Sequence, residues 1–175
     1  MLIEPRWDAI LRDDRIGGRV PDEIHPGVAW WTGAVLIQVT RTPGVVVAAG
    51  DAGPTTAVFA ERFKRGAINS GHYAARVCCA GVGSEPYLRF CCRTLSLPGV
   101  HITADGDGRV SMRLFSAEGL PLHTTEAMRE IHRRLRADEI PIPVNDEARG
   151  TVVDRRDLLA AYADATGADN PEGDA

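Results

Sequence analysis

Apolar residues in this chain fall into short blocks that switch between two spacings. Gly44-Val-Val-Val-Ala-Ala49 is an unbroken apolar run rich in β-branched residues, the pattern of a buried strand. Val28 to Val39, after Pro26, reads as a helix. Phe59, Phe63 and Ala67 recur every fourth residue, which puts them on one helical face, with Thr55 or Thr56 as the residue that caps it. Tyr73 to Cys79 predicts a second strand, Glu85 to Leu95 a helix, and Val100 to Ala104 a third strand. Val110 to Phe115 alternates as a fourth strand does. Met128, Ile131 and Leu135 form the stripe of a further helix after Thr124 or Thr125, and Asp154 is the expected cap of the last one. Pro141-Ile-Pro143 is a connector, and the Gly-, Ala-, Asp- and Glu-rich stretch beyond Thr166 reads as disordered.

Strands that alternate with helices imply a three-layer α/β/α sandwich around a mainly parallel sheet. Such sheets gather their ligands at the carboxyl ends of the strands. Asp51, the Gly81-Val-Gly83 turn and Asp105 all belong at that edge.

Composition narrows the reading. With 175 residues, 44% of them apolar, the chain buries one sizeable core. A formal net charge of −4 and a pI near 5.7 argue against a nucleic-acid or anionic-membrane partner held by long-range attraction. No run is long and apolar enough for a membrane span, and Met1-Leu-Ile-Glu-Pro-Arg6 lacks the order of a secretory signal, so the cytoplasm is the expected compartment. Cys78-Cys79 and Cys91-Cys92 are adjacent pairs without zinc-ligand spacing; they read as small buried hydrophobes, one pair ending a strand and the other in a helix. His25, His72, His101, His123 and His132 are scattered, and Gly50-Asp-Ala-Gly53 lacks the Gly-Lys-Ser/Thr ending of a phosphate loop. Arg129, Arg133 and Arg136 lie opposite the apolar stripe of their helix, as a solvated face does.

The stretch Leu97-Pro-Gly-Val-His-Ile-Thr-Ala-Asp-Gly-Asp-Gly-Arg-Val-Ser-Met-Arg-Leu-Phe115 resembles the active-site loop of α-D-phosphohexomutases, the phosphomannomutases and phosphoglucomutases. There a strand of the first domain runs into Thr-Ala-Ser-His-Asn-Pro, whose serine carries the phosphoryl group. Thr103-Ala104 match, and Asp105 stands at the serine. The family loop continues toward Gly-Ile-Lys-Leu, and this chain reaches Met112-Arg113-Leu114-Phe115 sooner. Leu11 to Ile24 resembles the family's Tyr-Asp-Ile-Arg-Gly opening, with Asp14 and Gly17 at the tyrosine and arginine. Gly44 to Thr56 resembles its strand and Gly-x-Asp-x-Arg-x-Ser-Ser turn, with Gly53 at the arginine. Ser84-Glu-Pro-Tyr-Leu-Arg-Phe90 resembles the Thr-Pro-x-Leu-Tyr-Phe helix opening, and Gly150 to Tyr162 the segment that leads toward the second domain. The likeness covers Leu11 to Tyr162 and is nearest in flavour to actinobacterial phosphomannomutases.

The resemblance implies a first domain standing alone, since a complete mutase has four. Residues 1–153 are expected to form it, 154–166 a C-terminal helix and 167–175 a disordered acidic tail. Phosphoryl shuttling needs a serine hydroxyl and a magnesium ion held mostly by second-domain carboxylates, and Asp105 lacks the hydroxyl. Asp105-Gly-Asp-Gly108 also reads as a tight polar turn, because Asp and Gly accept positive φ. It opens like a cation loop too, but Arg109 replaces a third aspartate, and Ser116 stands where an EF-hand needs its bidentate glutamate. Asp14, Gly17, Gly53 and Asp105 all depart from the family at active-site positions while the apolar pattern is intact. The expected function is a catalytically inactive phosphohexomutase-like domain with a binding or regulatory role toward a protein partner or a phosphosugar. The alternative is a subunit or fragment of a phosphomannomutase or phosphoglucomutase in sugar-phosphate metabolism. No catalytic residue is intact on this reading; Thr103, Asp105 and Arg113 are the expected substrate contacts. No cofactor or metal is expected, magnesium belonging only to the enzyme alternative. A second copy or a mutase-like protein is the expected partner, through Leu158, Leu159 and Tyr162; nucleic acid and membrane are not. Trp30 and Trp31, about 100° apart on a helix, do not share one buried stripe.

Overall fold

The computed structural model describes residues 4–70 and 75–167. In chain order its elements are helix α1 (Trp7–Ile10), strands β1 (Leu11–Arg12) and β2 (Arg15–Arg19), helix α2 (Pro26–Thr40), strand β3 (Gly44–Ala49) and helix α3 (Pro54–Ile68). Strand β4 (Arg76–Val82), helix α4 (Glu85–Leu95) and the β5 (Gly99–Ala104) and β6 (Arg109–Phe115) hairpin follow. Helix α5 (Glu126–Arg136), a 3-10 turn at Asp146–Ala148, strand β7 (Thr151–Asp154) and helix α6 (Leu158–Thr166) complete the described chain.

The strands form one seven-stranded sheet in the order β1-β2-β6-β5-β3-β4-β7. β3 pairs in parallel with β4 and β5, and β4 with β7, whereas β1/β2, β2/β6 and β5/β6 are antiparallel. Five strands therefore point one way, with β1 and β6 reversed, which bears out the mainly parallel α/β reading.

Both faces are covered, because alternate residues of the central strands are apolar in both directions. Val45, Val47, Val77, Val100 and Ile102 face the larger core with Phe59 and Phe63 of α3 and Met128, Ile131 and Leu135 of α5. Val46, Ala48, Cys78 and Ala80 face the smaller one with Tyr87, Leu88, Cys91 and Cys92 of α4 and Leu158 of α6. Helix α2 is apolar on nearly every side, as a helix enclosed by neighbours must be; Pro26 opens it, and the buried Thr32 hydroxyl donates to the Val28 carbonyl at 2.8 Å.

Three expectations need correction. Neither Thr55 nor Thr56 caps α3: Gly53 holds the N-cap position before Pro54, and the Thr56 hydroxyl donates to Asp51. Asp154 closes β7 and does not cap α6, where Asp157 stands at the N-cap position. The second strand is shifted to Arg76–Val82, so Cys78-Cys79 lies within it, and Tyr73 falls outside the described residues. Of the tail expected to be disordered, 167–175, all but Gly167 lies outside them too. Trp30 and Trp31 are both half-buried; Trp31 packs near Trp7 and His25, with ring centroids 5.9 and 5.4 Å away. No helix among the described residues is long and apolar enough to cross a membrane.

Candidate functional site

β3, β4 and β5 are mutually parallel, so the turns after all three open at one edge. Asp51, Gly83 and Asp105 stand there, as the sequence pattern requires. The arrangement is built on Asp51. Its Oδ1 accepts from the Gly53 amide at 2.8 Å, and its Oδ2 accepts from the Thr56 hydroxyl at 2.8 Å and the Ala104 amide at 3.2 Å. Burial pushes this carboxyl up, but the bonds from Thr56, Gly53 and Ala104, with His101 nearby, outweigh that and hold it below the ordinary aspartate value. An ionised Asp51 thereby ties the end of β5 to the start of α3. A carboxylate whose two oxygens already take three donors is a scaffold group, not a free base.

Asp105 is held in a similar way. Its Oδ1 accepts from the amides of Asp107 at 3.0 Å and Arg109 at 2.8 Å, while its own amide donates to the Arg109 carbonyl at 3.0 Å. Gly108 adopts φ +73°, which glycine takes without strain. Asp105, where the resemblance implies the phosphoserine, thus organises the tight turn of the β5–β6 hairpin.

Of the two positions where the resemblance implies arginine, Gly17 is closed by backbone, whereas Gly53 meets only the carboxylate end of Asp51. A Cβ at Gly17 would lie 2.3 Å from the Val110 carbonyl oxygen, inside the β2/β6 pairing, and one at Gly53 would lie 2.7 Å from Asp51 Oδ1. Asp14, at the tyrosine position, pairs with Arg15 beside the β1–β2 turn.

Thr103 and Arg113 do share a sheet face: they pair across the hairpin with Ser111 and His101. Arg113 is already engaged, since its guanidinium pairs with Glu85 in the first turn of α4 and lies 5.8 Å from the Phe115 ring centroid. His101, mostly buried, meets the Gly83 carbonyl through Nε2 at 2.9 Å. Glu85 was not anticipated as Arg113's partner, and their separation of 28 positions explains why. Asp51 carried a readable signal: an aspartate two residues before Gly53-Pro54, with a threonine five residues on, is an Asx-type turn leading into a helix.

The donor set does not fit a magnesium ion. Asp105 commits Oδ1 to two amides, and among the described residues no three His, Cys, Asp or Glu side chains come together as ligands. The cysteines behave as packing groups: burial pushes the thiols of Cys78 and Cys91 up, and that of Cys92 up to about 12, so they remain protonated at neutral pH.

No protein-family profile matches the sequence, and no curated protein matches it. Solved structures do. A phosphoglucomutase/phosphomannomutase family protein from Burkholderia thailandensis superposes with a TM-score of 0.71 at 15% identity, over 94% of this chain and 36% of that one. A Thermus thermophilus protein assigned as a phosphomannomutase gives 0.69 at 20% identity, over 91% and 36%. Parafusin, a Paramecium phosphoglucomutase, gives 0.66 at 12% identity, over 95% and 36%. The chain therefore has an α/β fold found within these proteins and spans about a third of their length.

Proposed function

We propose that this chain is a domain-I-like phosphohexomutase module, of the actinobacterial phosphomannomutase type, that binds without turning over sugar phosphate. The observation that carries the reading is Asp105: the residue at the phosphoserine position has no hydroxyl, and its carboxylate oxygen holds the amides of Asp107 and Arg109. The glycines at positions 17 and 53, the former closed by the Val110 backbone, support it, because guanidinium groups are the usual stabilisers of a transferring phosphoryl group. The bound species on this reading is a phosphosugar on the face of Thr103 and Arg113 beside the Asp105 turn, or a mutase-like protein, in the cytoplasm.

A coupled assay of the whole chain with mannose 1-phosphate or glucose 1-phosphate, magnesium and a bisphosphate activator should show no turnover. Asp105→Ser should not create any, since the hydroxyl alone restores neither guanidinium nor metal ligands. Turnover that Asp105→Asn abolishes would overturn the reading in favour of a mutase subunit or of altered carboxylate chemistry.

A further inference from the structure

Along the C-terminal half of α3, away from the Asp51 edge, runs a groove of about 650 Å³, within the range of small-molecule sites. Trp30 of α2 and Arg149, just before β7, complete its walls. Its charge is one-sided. Arg62, Lys64, Arg65 and Arg149 line it, against one lining carboxylate, Glu61, which pairs with Lys64 and Arg65 at 2.9 Å each. Asp146, beside the groove, pairs with Arg149 at 2.8 Å. Four cations against two carboxylates leave an excess of two positive charges on a chain whose formal net charge is −4. Arg62 makes no ion pair among the described residues.

Helix chemistry accounts for only part of this. Bases in the last turns of α3 complement its macrodipole, which explains Lys64 and Arg65. It does not explain Arg62 further from that end, nor Arg149 from a different segment. Arg149 is moreover pre-oriented: its Nε donates to Asn69 Oδ1 at 3.0 Å, and the largely buried Asn69 is itself fixed by donating to the Arg65 carbonyl at 2.7 Å. Guanidinium forks match phosphate oxygens, and holding one in place beforehand lowers the ordering cost of binding. Half-buried Trp30 and Ile68 give the groove an apolar wall, and an indole face accepts a planar ring.

We propose that this groove binds a phosphorylated small molecule carrying a planar ring, of the nucleoside diphosphate class, with the phosphates on Arg62, Arg65 and Arg149 and the ring against Trp30. The site is separate from the Asp105 edge and does not depend on the mutase-like reading. Isothermal titration of the whole chain with ADP and with pyrophosphate at low ionic strength tests it. Both should bind saturably, and the double substitution Arg62→Ser/Arg65→Ser, at exposed positions that leave the circular dichroism spectrum unchanged, should weaken both by roughly tenfold or more. Trp30→Leu should weaken ADP and spare pyrophosphate. Absence of saturable ADP binding, an affinity indifferent to the double substitution, or an ADP affinity indifferent to Trp30→Leu would each overturn the assignment.

Discussion

Asp51 and Asp105 are both aspartates at the carboxyl edge, and both act on the backbone. Asp51 joins Gly53, Thr56 and Ala104. Since a hydrogen bond to a charged group contributes about 1.5–3 kcal/mol, and truncation leaves donors unsatisfied, Asp51→Ala should destabilise the chain by roughly 2–4 kcal/mol in urea unfolding. The pH dependence has a definite sign. Asp51's folded carboxyl lies below its ordinary value of 3.8, so its contribution is present above that value and is lost as pH falls through the lowered one. Asp51→Asn should therefore flatten the acid limb of the urea midpoint plotted against pH; an acid limb identical to that of the parent chain contradicts this role. The signal of the turn at Asp51 is local, its acceptor and two of its donors lying within five residues, although Thr55 or Thr56 was expected there as the cap. The Ala104 bond, 53 residues away, was not legible. Arg113 was expected as a substrate contact, but the sequence could not show that Glu85 neutralises it.

At the level of elements, α2 and α3 approach each other closely. A Cβ added at Gly66 would lie 1.9 Å from the Trp30 carbonyl oxygen, and one at Gly33 would lie 2.4 Å from that of Phe63. Two glycines, one on each helix, let the backbones touch, and neither clash can be relieved by rotating a side chain. Gly66→Ala and Gly33→Ala should each lower the melting temperature, by an overpacking cost of about 1–3 kcal/mol or more, despite alanine's better helix propensity. A rise in melting temperature at either position would mean that the helices separate freely. Elements with strong local signals were readable. Glu85–Leu95 matched at both ends because Ser84 caps it, and Gly44–Ala49 because its apolar run is unbroken. Strand β7 was not readable: Thr151–Asp154 has mostly exposed side chains and exists through its parallel pairing with β4. The same blindness placed a helix cap at Asp154. Strands β1 and β2, split by a charged turn and containing Gly17-Gly18, likewise take their form from the pairing of β2 with β6.

For the molecule as a whole, the question is which surface a partner would cover. Leu158 and Tyr162, expected to need one, are already used: Leu158 is buried, and Tyr162 packs near Tyr87 and Phe90 at 5.4 Å between ring centroids. Leu159 remains 49% exposed, and Val152 of β7 is equally so. β7 is also a sheet edge, with a row of backbone groups open to a further strand. We propose that the contact surface expected from the last helix lies at Leu159 and the neighbouring β7 edge. We expect the chain to associate there with a second copy or a mutase-like protein. Light scattering at micromolar concentration should then show a mass above that of one chain, reduced by Leu159→Asp. This position is exposed, so the substitution should not disturb the core. A chain that scatters as a single copy throughout that range, and retains no protein from an extract of its own cells, would leave the binding module without a protein partner and confine its role to small ligands.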